Sequence, residues 1–383
     1  MSFAEVERAI DAAVGRRVFP GAVLLVRDGD RLFYRRAFGH RSLEPMETPM
    51  CEDTVFDIAS LTKAVATSVA MMVMVRDGRI ALDDRISRFF HNFGGLGKTH
   101  ITFRHLLSHS SGLPAWRPFY TDILHFERRS GRVNFLGSPE AKEYVYQQIT
   151  REKVDVPPGT RSEYSDLGFM MIGAAIEAVA STTLDRFCQA RIFRPLGLHA
   201  TGFVNLALMR AHRLEAVTDR IAPTENCPWR HKIVCGEVHD DNAYAMGGVA
   251  GHAGLFSTAD DLDLLVCHLK DCYYRRAVKP LVPAEIVREL WKIDGSVPGS
   301  TWALGWDTPS PVGSSAGSKF ARHAVGHLGF TGCSLWIDLE HDRHVLLLTN
   351  RVHPSRNNDL IRDFRPYIHD LITEAIEASA KGN

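Results

Sequence analysis

The chain has 383 residues, and its 45 lysines and arginines balance 45 aspartates and glutamates, so the formal net charge is zero. Hydrophobic residues make up 45% and charged residues 23%, which is typical of a globular protein and excludes a disordered or fibrous chain. Because binders of nucleic acids or anionic membranes carry a basic excess, we expect neither as a partner.

The sequence also gives an expectation for the cellular compartment of the protein. No apolar run reaches the ~18 residues that span a bilayer, and the N-terminal segment is charged from residue 5 without a signal-peptide core. The 7 cysteines are odd in number, scattered, and include no CxxC. Free thiols in a reducing compartment are the simplest interpretation, so we expect a cytoplasmic protein.

The first elements are predicted to be a helix and a β-hairpin. Apolar residues recur with helical spacing over 3–16. Two strand-forming runs, 21–27 and 31–38, then flank a turn-forming Asp-Gly-Asp. A further helix is predicted over 60–77, where Ala, Met and Val predominate without internal glycine or proline.

The middle of the chain is predicted to be mostly helical. The clearest helices are 166–180 and 183–192, whereas 219–245 is polar and resembles a loop. A helix is expected to begin at Thr258 or Ala259, since acidic residues suited to a helix N-terminus follow.

The last third returns to strands. Short β-rich runs occur at 303–306, 324–327, 332–338 and 345–350, followed by an amphipathic helix over 359–380. Strands at both ends with helices between predict one sheet formed by both termini. We therefore expect a discontinuous sheet domain and an inserted, mostly helical domain, with the bounds 1–78 plus 246–383 and 79–245.

A serine and a lysine begin the helix predicted over 60–77. Ser60 and Lys63 are three residues apart and so share one face, one turn apart. Free N–H groups and the helix dipole favour a developing oxyanion beside Ser60. The helix is apolar nearly all round and should be buried, and a buried lysine amine can activate a hydroxyl. The bare SxxK pattern also fits a capping serine and a surface lysine.

Two later segments supply possible partners. Tyr164 follows a Pro/Gly turn, and a phenol beside a lysine can act as a general base because a nearby cation favours phenolate. In the late strand region, Gly329 lets a substrate approach a strand edge, and the His327 imidazole can donate to a substrate or to Tyr164. With a reference pKa near ~6.5, we expect His327 to titrate near neutrality and give activity an inflection there.

In this order, the three segments resemble those of the serine hydrolases of the class C β-lactamase and penicillin-binding-protein family. That family has S-x-x-K, then Y-x-N, then K-T-G or H-x-G on a strand. The resemblance spans most of the chain and includes LLSHSSGLP at 106–114. The segment 236–259 resembles an esterase-like branch of the family.

This resemblance implies a β-lactamase/transpeptidase-like α+β fold, with an antiparallel sheet flanked by helices. It implies that Ser60 attacks an ester or amide carbonyl while Lys63 and Tyr164 share the proton transfers, with His327 nearby. Backbone N–H groups of Ser60 and Phe330 would form the oxyanion hole. Water would then release the acyl group from a small ester, amide or peptide substrate, without a metal or other cofactor.

Two positions depart from the family pattern. Asp166 replaces the usual Asn, so an amide donor to substrate becomes an acceptor that can still hold Lys63. His327 and Leu328 replace a Lys and a Thr that would hold a β-lactam carboxylate. We therefore expect an esterase or a D-amino-acid peptidase or amidase, and at most a weak β-lactamase. The alternative is a penicillin-recognising binder or sensor that acylates without efficient turnover.

Other candidates for substrate binding lie outside the motifs. His239, Asp240 and Asn242 precede a glycine-rich stretch and form either a solvated loop or a wall that contacts substrate. Arg356 is either a surface residue or an anchor for a substrate carboxylate, which its fork binds well.

Two patterns are interpreted as fortuitous. His231, Cys235 and His239 are four residues apart, but nearby Pro and Gly break any helix and no fourth zinc ligand is evident. The G-x-S-x-G run at 313–317 lacks the preceding strand of a nucleophile elbow.

Overall fold

The two ends of the chain meet in one sheet. The computed structural model describes residues 2–214 and 217–381. The strands are β1 (Gly21–Asp28), β2 (Arg31–Ser42), β3 (Thr48–Pro49), β4 (Phe56–Asp57), β5 (Gly202–Phe203), β6 (Asn226–Cys227), β7 (Lys232–Ile233), β8 (Leu255–Ser257), β9 (Val325–Leu328), β10 (Ser334–Asp338) and β11 (Arg343–Thr349). The main sheet has the order β3-β2-β1-β11-β10-β9 and is antiparallel throughout. The predicted α+β class, with a sheet built from both termini, is confirmed.

Helices cover the sheet and fill the middle of the chain. The α-helices are α1 (Phe3–Gly15), α2 (Val69–Arg76), α3 (Phe103–Leu107), α4 (Phe119–Ser130), α5 (Pro139–Arg151), α6 (Asp166–Ala180), α7 (Leu184–Cys188), α8 (Leu206–His212), α9 (Asp241–Ala245), α10 (Ala259–Tyr273), α11 (Ala284–Leu290) and α12 (Ile361–Lys381). Wider π-helical turns occur at Lys63–Ser68 and Gln189–Phe193.

The apolar run of β1 is continuous because both faces of this central strand are buried. Leu24 and Val26 face the layer formed by α1 and α12, where they meet Ile10. Val23 and Leu25 face the opposite way, into the larger core shared with α2, α6 and α10. The sheet is therefore the middle of three layers, and the helical core lies on the side away from the chain termini.

The segment that begins at Ser60 runs through this larger core. Every residue of its π-helical turn and the first six residues of α2 are buried. Such all-round burial explains why the sequence there is apolar on every face. It also means that any polar group on the segment needs a partner inside the protein.

The structure differs from the expected elements in three places. The predicted strand 303–306 is wrong, because Gly305 turns the chain at φ +83 and lies against Ser68, where a Cβ would be 1.8 Å from the serine Oγ. The predicted helix 183–192 is divided into α7 and a π-helical turn. The loop-like segment 219–245 contains the short pair β6 and β7 and ends in α9. The other predicted elements are confirmed with small shifts at their ends.

No single helix in residues 2–214 and 217–381 is long and apolar enough to cross a membrane, although the bent pair Asp166–Ala180 and Leu184–Phe193 passes that test jointly.

Close packing at a strand glycine predicts a large effect on stability. A Cβ at Gly326 in β9 would lie 2.4 Å from both the Leu335 carbonyl oxygen and the Trp336 ring. We expect Gly326→Ala to lower the free energy of unfolding by about 1–3 kcal/mol, as overpacked sites do. Urea denaturation measures this, and Gly295→Ala, with open space around its Cβ, is the control. Equal stability of the two variants would contradict the packing.

Candidate active site

Ser60 is presented by a constrained turn. It lies three residues after the end of β4, and the residue before it, Ala59, has a left-handed φ of +47, which is strained for a residue with a side chain. The carboxylate of Asp57 accepts the Ala59 N–H at 2.9 Å and holds this conformation. Unlike its buried neighbours, Ser60 is partly exposed, and it opens onto a cleft.

Lys63 lies beneath Ser60 and is completely buried. Its ammonium donates to Ser60 Oγ at 3.0 Å and to the His252 carbonyl at 3.0 Å, and it pairs with Asp166 Oδ1 at 2.7 Å. Burial opposes the charge, but the Asp166 carboxylate and Tyr164 outweigh it and raise the pKa of Lys63. The resting amine is therefore a cation.

Tyr164 covers the lysine. The Lys63 Nζ lies 4.8 Å from the centre of the phenol ring. Burial raises the pKa of Tyr164, while Lys63 and Ser60 act against that rise, and the phenol stays protonated at neutral pH. The ring packs at 4.6 Å from His109, whose Nδ1 accepts the Ser165 N–H. His109 is buried, and its Nε2 has no partner among the described residues.

The turn after β9 approaches Ser60 from the other side. Gly329 comes so close to the segment before Ser60 that a Cβ would lie 2.4 Å from the Ile58 carbonyl oxygen. The turn closes with a Gly332 N–H to Gly329 carbonyl bond of 3.0 Å. Within the described chain, the backbone N–H groups of Ser60 and Phe330 have no backbone acceptor. Two donors are thus available to a negatively charged oxygen.

His327 is a neutral acceptor. Its Nδ1 lies 2.8 Å from the Leu328 carbonyl, which can only accept, so Nδ1 carries the proton. Its buried Nε2 has no partner in the part of the chain that is described. Burial, assisted by Lys63, lowers the pKa of His327 to about 3. The expectation that this imidazole titrates near neutrality is therefore wrong. The expectation that it donates to a substrate or to Tyr164 is wrong as well, because its one proton is directed at the Leu328 carbonyl.

A cleft of about 360 Å³ joins these groups. Ser60, Tyr164, His327, Leu328, Gly329 and Phe330 line it together with residues that the sequence motifs do not mark: Trp302, Asp307, Arg351, Asp359, Ile361, Arg362 and Arg365. Burial raises the pKa of Asp307 to about 6. None of these added residues belongs to a sequence motif. They are identified only because the fold brings them together at this cleft.

Asp240 and Asn242 do not line this cleft. Asp240 accepts the Ala243 N–H at the start of α9 and contacts His252 Nε2 at 2.9 Å, and these partners hold its pKa well below the usual range despite burial. Asn242 is buried and accepts the Tyr120 N–H at 3.0 Å. Asp240 Oδ1 and the Asn242 amide are thus bonded inside the protein, and the contact of these two residues with substrate stays a prediction.

His239 and Arg356 also lie elsewhere than predicted. The Arg356 guanidinium pairs with Glu225 at 2.5 Å and with Asp241 at 2.9 Å, so it is neither a plain surface residue nor a free carboxylate anchor. His239 is buried, contacts Glu225 and stacks on the Phe330 ring at 5.8 Å. It supports the cleft from behind.

Potential metal ligands meet twice in the described chain, as Asp263, Cys267 and His344 and as Asp166, Asp240 and His252. Arg27 pairs with the first group and Lys63 with the second, so each already holds a protein cation. His231, Cys235 and His239 form no such group among the described residues. The 313–317 run is a loop, as expected.

Comparisons with known proteins agree with this architecture. The Beta-lactamase family profile matches residues 6–365. An N-acetylmuramyl-L-alanine amidase of Bacillus subtilis (strain 168) is 31% identical, over 90% of this chain and 81% of the relative. A putative D-alanyl-D-alanine carboxypeptidase of Escherichia coli (strain K12) is 30% identical, over 89% and 82%.

Solved structures share the fold. EstCE1, a hydrolase with promiscuous acyltransferase activity, superposes with a TM-score of 0.70 at 22% identity, over 95% of this chain and 98% of its own. The octameric penicillin-binding protein homologue from Pyrococcus abyssi gives 0.68 at 22% identity, over 95% and 77%.

The Lys63–Asp166 pair predicts a shift that NMR can measure. We expect Asp166→Asn to lower the pKa of the Lys63 amine, because a neighbouring anion is removed from a buried cation. The ¹³Cε resonance of Lys63, assigned with Lys63→Met, reports this pKa directly. Asp166→Glu retains the charge and is the control. An unchanged titration in Asp166→Asn would mean that the carboxylate does not stabilise the ammonium.

Proposed function

Since this chain belongs to the beta-lactamase family, we propose that it is a serine hydrolase that cleaves an ester or amide through an acyl-enzyme on Ser60. One observation carries the assignment of the nucleophile: the buried Lys63 Nζ lies 3.0 Å from a Ser60 hydroxyl that opens onto the cleft. A nucleophile within hydrogen-bond reach of a base is the arrangement that covalent catalysis requires.

Acylation begins from the neutral amine, after the Lys63 ammonium has released its proton to solvent through the open cleft. The neutral amine takes the Ser60 proton as Oγ attacks the substrate carbonyl, and the oxygen of the tetrahedral intermediate accepts the Ser60 and Phe330 N–H groups. The Tyr164 phenol then protonates the leaving alkoxide or amine and is reprotonated by Lys63. The leaving group departs as an alcohol or amine, and the acyl group remains on Ser60.

Deacylation reverses these transfers with water as the nucleophile. Water attacks the acyl carbonyl and gives a proton to the Tyr164–Lys63 pair, which returns it to Ser60 Oγ. The neutral His327 offers Nε2 as an acceptor, to orient either the phenol O–H or an N–H of the substrate. In this scheme His327 contributes no positive charge, unlike the lysine of a K-T-G motif.

We further propose that the substrate carries an anionic group. Three arginines line the cleft, Arg351, Arg362 and Arg365, together with the carboxylates of Asp307 and Asp359. Of the three guanidinium groups, that of Arg362 is the exposed one. The curated relatives are named as an amidase and a carboxypeptidase, and both names imply amide or peptide substrates. A small ester, amide or peptide with a carboxylate on the leaving side fits this charge.

The division into domains and the cellular location are two further proposals. We propose that residues 1–78 and 246–383 form a sheet domain and residues 79–245 a helical one, since the six-stranded sheet draws its strands from the two ends of the chain. We also propose a cytoplasmic location, for which the unpaired state of the cysteines is support.

The assignment of Ser60 is tested by covalent labelling. We expect a fluorophosphonate to add one phosphonyl group to Ser60, as intact mass and peptide mapping will show. Ser60→Ala should abolish the label and lower ester turnover roughly 10³-fold or more. Ser315→Ala, in the loop that matches G-x-S-x-G, is the control and should leave both unchanged. Labelling at Ser315 would refute the proposal.

Substrate preference gives a second test. Without the lysine and threonine that hold a β-lactam carboxylate, we expect kcat/KM for nitrocefin to lie far below that for a short p-nitrophenyl ester. D-Ala-D-Ala peptides should be cleaved faster than their C-terminal amides. Comparable values for nitrocefin and the ester would contradict this, and a burst without turnover would favour the binder or sensor.

A further inference from the structure

A buried arginine contacts the back of the peptide group that carries the Phe330 N–H. This peptide group consists of the Gly329 carbonyl and the Phe330 N–H, which point in opposite directions because the bond is trans. Arg365, on α12, donates from Nη2 to the Gly329 carbonyl at 3.1 Å and to the Cys333 carbonyl at 3.0 Å. Its guanidinium therefore contacts the carbonyl side of this peptide, opposite the Phe330 N–H.

The cation has no counter-ion in the described chain. Arg365 is 6% exposed, and no carboxylate among residues 2–214 and 217–381 lies within ion-pair distance of it. Its buried Nε has no hydrogen-bond partner in the same residues. Burial, the largest influence, lowers the pKa of Arg365 to about 10, so the group is still charged at neutral pH.

The conformation of the turn after β9 does not require the positive charge of Arg365. The turn is already closed by the Gly332 N–H to Gly329 carbonyl bond and by a Gly329 N–H to Cys333 carbonyl bond of 2.8 Å. The Thr331 hydroxyl ties it to the Asp57 carbonyl at 2.7 Å. Burial of an unpaired cation is costly, and a neutral donor would satisfy the same carbonyl groups.

A charged donor at the Gly329 carbonyl makes the Phe330 N–H of the same peptide group a stronger hydrogen-bond donor. Hydrogen bonds in series polarise one another, and bonds from ionised donors are the stronger ones. The positive charge also lies one peptide group away from the place where negative charge develops, in a site of low dielectric constant.

We infer that Arg365 is a positioning residue of the oxyanion hole: its guanidinium fixes the Gly329–Phe330 peptide and polarises the Phe330 N–H toward the substrate oxygen. This inference rests on the proposed function, in which that N–H binds the oxyanion. Arg351 makes a similar contact with the next peptide group, since its Nε donates to the Phe330 carbonyl at 2.8 Å. The N–H of that peptide group is the one of Thr331, so this contact does not act on the Phe330 N–H.

The test uses phosphonylation of the full-length protein, which needs no natural substrate. Ser60 Oγ attacks the phosphorus of a fluorophosphonate, the P–F bond breaks, fluoride leaves and Lys63 takes the hydroxyl proton. The phosphonyl oxygen of the adduct then occupies the oxyanion hole. The second-order labelling rate and the ³¹P chemical shift of the adduct both report how strongly that oxygen is bound.

Three substitutions separate charge from bracing. Arg365→Met removes charge and donors and should slow labelling about tenfold, less than the ~10²–10³-fold effect of deleting an oxyanion donor outright. Arg365→Gln keeps a neutral donor and Arg365→Lys keeps the charge, so Arg365→Lys should be labelled severalfold faster than Arg365→Gln. The ³¹P shift should move in Arg365→Met and Arg365→Gln and stay near the parent value in Arg365→Lys.

The control is Lys270→Met, which removes a different buried cation, one that pairs with Asp342 near the β10–β11 turn. It should lose stability yet keep the labelling rate and the ³¹P shift. Equal rates and shifts for Arg365→Gln and Arg365→Lys would overturn the inference even if Arg365→Met does not fold. A parent protein that is not labelled at Ser60 would instead overturn the proposed function.

Discussion

The buried ammonium of Lys63 is the constraint on which the site depends. A cation removed from water is tolerated only where polar partners surround it, and here four partners come from three separate parts of the chain. Ser60, Tyr164, Asp166 and the His252 carbonyl all contact it or cover it. Folding of the core around α2 and assembly of the site are therefore one process, since the helical core cannot close around an unpaired amine.

Glycines set the distances between the segments that carry these partners. Gly251 lies against α6, where a Cβ would be 2.1 Å from the Phe169 carbonyl oxygen, and this contact places the following residue, His252, next to Lys63. Gly329 likewise allows the close approach of the turn over residues 329–332, the oxyanion turn, which carries the Phe330 N–H. The glycine-rich stretch after α9 thus allows close packing of the chain at Gly251.

The parts of the structure that were predictable from sequence are those encoded locally. The α1 helix and the β1–β2 hairpin follow from periodicity and turn residues, and the proximity of Ser60 to Lys63 follows from helical spacing. Partners distant in sequence were not predictable: the ion pairs of Arg356 depend on where Glu225 comes to lie. The neutrality of His327 depends on burial, which a motif does not contain. Arg365 was missed because an arginine in an amphipathic helix usually faces solvent.

Asp57 forms hydrogen bonds with both the serine turn, which presents Ser60, and the oxyanion turn. Its carboxylate accepts the Ala59 N–H, next to the nucleophile, and the His239 N–H at 2.7 Å, while its own carbonyl accepts the Thr331 hydroxyl of the oxyanion turn. Displacement of either turn relative to the other would therefore break a hydrogen bond to Asp57. The entropy cost of aligning them is met once, during folding, and not at each encounter with substrate. Loss of activity on heating should then coincide with global unfolding of the sheet, with no earlier phase in which the site alone becomes disordered.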